Sequence, residues 1–426
     1  MARDAGPEHV VIVGAGIVGL STAWYLQRYG VRVTVVDRGV VAAGSSWGNA
    51  GWLTPALTLP LAEPAILRSG LKMILDPASA LYIPPRLDLG VLRFLLGFGW
   101  HCTPRQWARA MAVFSHLGGS GMEAYAELSE ADTAGPGVSE PTRAATPFLA
   151  AFRTETDRAV LAREFEMISR SGGSVDFRLL DAAQLRAMEP SLSPQVRCGV
   201  AIEHQRFINP PRFLAALADS VRARGGQIIE ALQVTDVRAG ARQVKIIGSS
   251  GRALTAGRVV LATGAWLGDL ARDFGVRVRV QAGRGYSFSV QPEQLPSRPI
   301  YFPAQRVACT PLGDRLRIAG TMEFRDANHR LEPARIEAIV AAVAPLYTGI
   351  EWEERAEEWV GARPCTADGL PLVGQTNAER VFVAGGHGMW GVALGPLTGK
   401  MLAAQIVGDE PVPELAAQFN PLRRGF

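Results

Sequence analysis

The 426-residue chain is 48 % hydrophobic and 20 % charged with a net charge of +4. That is enough apolar material to bury a large core over two domains, and it excludes a disordered or fibrous chain. The basic excess, which puts the pI near 9.0, is arginine scattered along the whole length without a Lys/Arg block or an aromatic-basic stripe, which argues against nucleic acid as a partner.

Four cysteines, Cys102, Cys198, Cys309 and Cys365, stand far apart without metal-ligand spacing, so reduced thiols and no metal are expected. The first nine residues, MARDAGPEH, lack the basic and apolar regions of a secretory signal. No run reaches the roughly 18 apolar residues of a membrane span. A cytoplasmic protein is the expectation. The most lipid-like segment is LDLGVLRFLLGFGW at 87–100, which reads as a buried helix or, secondarily, as a peripheral contact with a membrane surface.

Residues 10–38, VVIVGAGIVGLSTAWYLQRYGVRVTVVDR, form a strand, glycine turn, helix and second strand ending on an acid. Residues 10–13 are a β-branched run suited to a parallel strand buried on both faces. Gly14 permits the tight turn, Gly16 lets backbone approach a pyrophosphate, and Gly19 lets the helix pack on the strand. The helix N-terminus then faces the phosphates with free amides and partial positive charge. Asp37, roughly 20 residues on, suits the ribose hydroxyls of an adenosine and repels a 2′-phosphate, so FAD or NAD is favoured over NADP.

Further along, 60–128 is helix-rich, a Pro/Gly break spans 134–147, FLAAF is a strand, and 156–171 is a helix. A helix over 209–225 opens at Asn209 with Pro210 and Pro211 in its first turn. QIIEALQVTDV at 227–237 is strand material, and RVVLATG at 258–264 is a buried strand ending at a glycine turn. From 276 to 324 VRVRVQ, YSFSV, RVACT and LRIAGTMEF predict an antiparallel sheet, closed by a helix at 333–346. RPCTADGLPLVG reads as a turn region, followed by the strand RVFVAG, the loop GGHGMWG and a last helix. The pattern predicts an α/β plus α+β protein: a Rossmann-like dinucleotide domain, discontinuous in sequence (1–85, 195–272 and 360–426), with an inserted antiparallel-sheet substrate domain (86–194 and 273–359).

After Asp37 comes RGVVAAGSSWGNAGWLTP, a small-residue loop suited to packing around a bulky ring system rather than the next βα unit of an NAD dehydrogenase. GAGIVGLSTAWYL, SSWGNAGWLTP, VVLATGAW, GRGYSFSV, GTMEF, GARPCTADGLPLVG and GHGMWGVALGPLTGK follow in order from one end of the chain to the other. Together they resemble the D-amino acid oxidase superfamily of FAD enzymes, most closely its bacterial D-amino acid dehydrogenase branch. The resemblance implies that Gly14, Gly16, Gly19, Asp37 and Arg38 hold the ADP half, with Ser45 and Ser46 near the phosphates. It places Asn49, Ala50 and Gly51 alongside the isoalloxazine, Val234 at the adenine, and Ala262, Thr263 and Gly264 by the pyrophosphate and ribityl chain. His387, Gly388, Met389, Trp390 and Gly391 would pass the flavin ring, where backbone amides stabilise negative charge on the reduced form. His387 is equally readable as a loop residue that shapes the turn.

Arg363 corresponds to the family's carboxylate-binding arginine; the competing reading is an internal salt bridge with Asp368 or a nearby Glu. Tyr286 is a second anchor, with Arg284 and Arg306 as weaker ones. The resemblance implies hydride transfer from Cα of a neutral amino acid to flavin N5, the imine then hydrolysing to a 2-oxo acid and ammonia without a dedicated base. Cys365 does not match the spacing of the covalently attached flavin in the sarcosine oxidase branch, so non-covalent FAD is expected. Gln305 and Arg306 stand where many relatives carry a tyrosine, and Trp390 is bulky for its position. Glycine, sarcosine or cyclic imino acids such as D-proline or hydroxyproline are therefore the alternative substrates. The electron acceptor, whether oxygen, quinone or dye, stays open.

Overall fold

The computed structural model describes residues 9–67, 70, 76–84, 88–170, 174–409 and 417–424. Its organising element is a sheet in the order Gln227–Ile229, Arg32–Val36, His9–Val13, Arg258–Leu261, Val381–Gly385 and Leu372–Gln375, parallel except for the last strand. Val10 to Val13 are buried because helices cover one face and a small antiparallel sheet the other. The helices are Ile17–Arg28, Pro210–Ala223 and Gly391–Val407, which meet around Leu20, Trp24, Phe213, Leu217 and Leu402. The small sheet is Val234–Ala239, Val244–Gly248 and Ala253–Ala256.

A second, nine-stranded sheet runs Ala356–Cys365, Gln281–Val290, Arg315–Phe324, Val307–Leu312, Ile300–Phe302, Phe148–Phe152, Cys198–Ile202 and Phe177–Asp181, with Leu81–Tyr82 joining beside Arg315–Phe324. Tyr286, Phe288 and Val290 point from one strand into a core capped by the helix Pro333–Val343. The helix Glu155–Arg170 covers Phe148, Phe152 and Val200 farther along the sheet.

Several expectations change. The segment 227–237 makes two strands in two sheets, because the chain turns at Ala231 (φ 56°) and Leu232 bonds back to Asp37. VRVRV at 276–280 is not a strand: Val276 and Val278 are buried, but pairing begins only at Gln281. RPCTADGLPLVG is not mainly turn, since its first residues end the ten-residue strand Ala356–Cys365 and LVG starts another. The strand Cys198–Ile202 lies in the nine-stranded sheet although 195–272 reads as part of the dinucleotide domain. The helix Pro104–Leu128, within the 86–194 insert, packs on the dinucleotide core, where the Tyr25 hydroxyl donates to the Ala124 carbonyl (2.9 Å) and Tyr125 to that of Val392 (2.7 Å). The helix Leu89–His101 buries Phe94, Gly97 and Phe98 only; Leu89, Leu92, Leu96 and Trp100 remain exposed on its other face.

Candidate active site

The glycines of the first turn act through packing. A Cβ on Gly14, at φ 118°, would collide with the Ala262 carbonyl oxygen, and one on Gly19 with that of Gly14. Gly19 thus seats the helix and lies off the cavity, while Gly14 and Gly16 line it. One Asp37 oxygen accepts from the Ala15 amide (2.7 Å) and the other from Gly39 (2.8 Å), which fixes the carboxylate at the strand end. Ser46 Oγ caps the helix by accepting from the Ile17 amide at 3.2 Å. The loop carrying it is pinned by Ala42 to Ala15 and by the Ser287 hydroxyl, which donates to the Gly48 carbonyl (2.8 Å).

These residues wall a cavity of about 610 Å³. Asp37, Arg38, Ser45, Ser46, Asn49, Val234, Ala262, Thr263, Gly264, His387, Gly388, Met389 and Gly391 all line it. Arg38 lies over the Trp266 indole, its guanidinium carbon 3.6 Å from the ring centroid, and both line the cavity. Thr263 Oγ1, which lines the cavity, is buried and has no hydrogen-bond partner among the described residues. At the opposite side the helix Gly391–Val407 presents its N-terminus through the turn Gly388–Trp390, the end that favours negative charge. The dimensions, the acid at the strand end and the unsatisfied hydroxyl fit FAD. No cysteine lines this cavity. Cys365 is buried, and burial pushes its thiol up to about 12.

A second cavity of about 410 Å³ adjoins the first, and Asn49, Met389, Val392 and Arg363 line both. Ala50 and Trp390 face this second cavity only, the Trp390 indole N–H donating to the Leu59 carbonyl at 2.7 Å. Gly51 lines neither; it takes φ 75° close against the Ile208 carbonyl.

Arg363 stands at the junction. Among the described residues its guanidinium has no ion pair and no hydrogen bond, and its accessible surface opens on the cavities it lines. Enclosure by protein pushes its pKa down. Asp368, the nearest acid in sequence, is taken by Arg423 through Nε (2.8 Å) and a second nitrogen (3.1 Å). The internal salt bridge is therefore not made. A desolvated cation without an internal counter-ion is costly unless a ligand supplies one.

The other anchors fare differently. Tyr286 is fully buried, lines neither cavity and donates to Glu323 Oε1 at 2.6 Å. Arg284 bonds the same oxygen (3.1 Å) and the Arg330 carbonyl (2.9 Å). Side chains of a strand alternate faces, so Arg284 and Tyr286 point away from the side that Gly283 and Gly285 share with Arg363. The His387 Nε2 pairs with Thr398 Oγ1 at 2.8 Å, and burial pushes the imidazole down to about 4. It is neutral and shapes the turn, which removes it as an acid-base group near neutral pH. Arg306 does line the second cavity, already paired with Glu63.

Two residues escaped the sequence reading. A Cβ on Gly285 would occupy the space of the Arg363 guanidinium, so this glycine of GRGYS is the bed on which the arginine lies. Thr321 is the extra residue where pairing of Gln281–Val290 with Arg315–Phe324 shifts register; at φ 43° it turns a buried, unpartnered hydroxyl toward the second cavity.

Residues 9–405 match the family described as FAD dependent oxidoreductase. This chain is a member of the FAD-dependent oxidoreductase family. A D-amino acid dehydrogenase of Cereibacter sphaeroides is 33 % identical over 419 residues, covering 96 % of this chain and 93 % of the relative. One of Rhizorhabdus wittichii is 29 % identical over 95 % of this chain and 97 % of the relative. Glycine oxidase from Bacillus cereus shares the fold at TM-score 0.70 and 20 % identity, over 96 % of this chain and 97 % of that one. L-proline dehydrogenase from P. horikoshii does so at TM-score 0.69 and 15 % identity, over 99 % and 98 %. In this FAD-dependent oxidoreductase the residues expected to hold the cofactor line the first cavity, and Arg363 stands where the second adjoins it.

Proposed function

We propose that this FAD-dependent oxidoreductase oxidises an amino acid at Cα, most directly a D-amino acid, and releases a 2-oxo acid and ammonia. The observation that carries the reading is Arg363, an unpaired guanidinium at the junction of the cofactor and substrate cavities. A planar fork there binds a carboxylate through two parallel hydrogen bonds and so fixes the orientation of Cα toward the cofactor cavity. FAD held without a covalent bond by Asp37, Ser46, Thr263 and the 388–391 turn would supply the two-electron acceptor. Met389 lines both cavities at the junction, Trp390, Leu57, Leu59 and Ile66 give the substrate cavity its apolar surface beside it, and the neutral amine needs no charged base there. A cavity of about 410 Å³ is more than glycine or sarcosine requires, which favours substrates with a side chain over those alternatives. Anaerobic titration of the bound flavin with D-, L- and N-methyl amino acids tests this: bleaching by a D-amino acid is expected, and bleaching by sarcosine or glycine alone would overturn it.

A second feature supports a quinone as the electron acceptor. The exposed Leu89, Leu92, Leu96 and Trp100 adjoin a cleft lined by Arg93, Arg272, Arg277 and Arg279, of which the last three have no ion pair among the described residues. Apolar stripe and basic border together fit the surface of an anionic bilayer, where a lipid-soluble quinone is at hand. No helix among the described residues is long and apolar enough to cross a membrane. Flotation with vesicles containing phosphatidylglycerol should carry the protein, and Leu92→Glu with Leu96→Glu should release it; no flotation in either case would refute the contact.

A further inference from the structure

The substrate cavity has two poles. Arg363, Asn49 and Met389 stand at the cofactor end, and Trp52, Leu57, Leu59, Ile66, Phe152 and Met322 line the apolar middle. The far end is charged: Glu63 from the segment after Pro60, Arg306 from the turn between Ile300–Phe302 and Val307–Leu312, and Asp157 and Glu164 from the helix Glu155–Arg170. Arg306, held at φ 54°, is engaged by Glu63. Glu164 has no hydrogen bond or ion pair among the described residues, although it lines the cavity. The pair neutralises itself and leaves the far pole with a carboxyl that has no partner among the described residues and, once ionised, a net negative charge.

We infer that this pole reads the distal end of the substrate side chain, and that Glu164 selects long amino acids ending in an ammonium or guanidinium group. The inference rests on the reading of Arg363 as the carboxylate anchor. A substrate of this class is complementary at both ends: its carboxylate meets the unpaired cation, its methylenes cross the apolar middle, and its terminal cation meets the unpaired anion. An acidic side chain would face Glu63, Asp157 and Glu164 with Arg306 already taken, and a purely apolar one would leave Glu164 desolvated and unpaired. Burial and the neighbouring Glu63 push the Glu164 carboxyl up to about 7, against the opposing effect of Arg306, so the carboxyl is desolvated and in need of a partner.

The test is calorimetric titration of the FAD-loaded protein above pH 8 with ω-amino acids from aminobutanoate to aminooctanoate and with the plain alkanoates of equal length, ligands that lack the reacting amine. One aminoalkanoate of the series should bind about tenfold or more tightly than its alkanoate. Glu164→Gln should collapse that ratio to about one, and Glu164→Asp should restore part of it. In turnover, D-lysine or D-arginine should exceed D-norleucine in kcat/KM by a similar factor. Equal binding of the two series, an unchanged ratio in Glu164→Gln, or preference for a dicarboxylate would overturn the inference and leave the Arg363 reading intact. Alkanoates that bind equally well to wild type and Arg363→Ala would overturn that reading, and this one with it.

Discussion

Arg284 and Arg363 lie on adjacent strands of one sheet, Arg284 pairing with Ala362 next to Arg363. Both are removed from bulk water, yet their surroundings are opposite. Arg284 is enclosed with Glu323 and the Tyr286 hydroxyl, so its charge is balanced within the fold. Arg363 lies over a glycine with no counter-ion among the described residues and opens on two cavities. A buried charge with a partner serves the architecture, and one without a partner, aimed at a cavity, marks where a ligand completes the structure. Residue type and strand alone do not distinguish them; the face does.

The largest effect expected from this contrast is on stability. Arg284→Ala would leave Glu323 buried without its closest cation, at a cost of about 3–5 kcal/mol. Thermal unfolding should show a large fall in Tm, while the KM of the material that remains folded stays within a few-fold of wild type. A stable Arg284→Ala protein with impaired KM would erase the contrast.

Gly285→Ala should do the reverse. Its Cβ intrudes on the Arg363 guanidinium, whose flexible end can swing aside, so Tm should hold while kcat/KM falls by about ten- to a hundredfold through misplacement of the anchor. Steady-state kinetics beside a melting curve checks this, and an unaffected kcat/KM would show that the position of the arginine is not critical.

His387 extends the partnered class to the cofactor side. With its folded pKa pushed down to about 4 and an ordinary value of 6.5 when unfolded, it stays neutral in the native protein while the unfolded chain takes up a proton. Its contribution is therefore complete above about pH 6.5 and is lost progressively as the pH falls toward 4. Denaturant titrations over that window should show a decline that His387→Asn reduces, and kcat should show no ionisation belonging to His387 near neutrality.

The first wall of the larger cavity is legible in sequence because it is local: Gly14, Gly16, Asp37 and the loop through Ser46 are continuous, and each demand on them is a short-range one. The substrate half depends on register. Whether Tyr286 or Gly285 faces Arg363 is decided by the pairing of Gln281–Val290 with Ala356–Cys365, and the exposure of Thr321 to the second cavity by its being the extra residue in Arg315–Phe324, neither of which periodicity reveals. Asp368 is freed from suspicion by Arg423, an arginine 55 residues away that closes from the C-terminal segment. VRVRV has the alternation of a strand and lacks only a neighbour, a fact held elsewhere in the chain.

The central claim is that Arg363 receives the substrate carboxylate. Its most direct test compares FAD-loaded wild type and Arg363→Ala by anaerobic flavin reduction at increasing D-amino acid concentration. The apparent Kd should rise about a hundredfold, with FAD content unchanged and Tm not lowered. An apparent Kd equal to wild type would contradict the account.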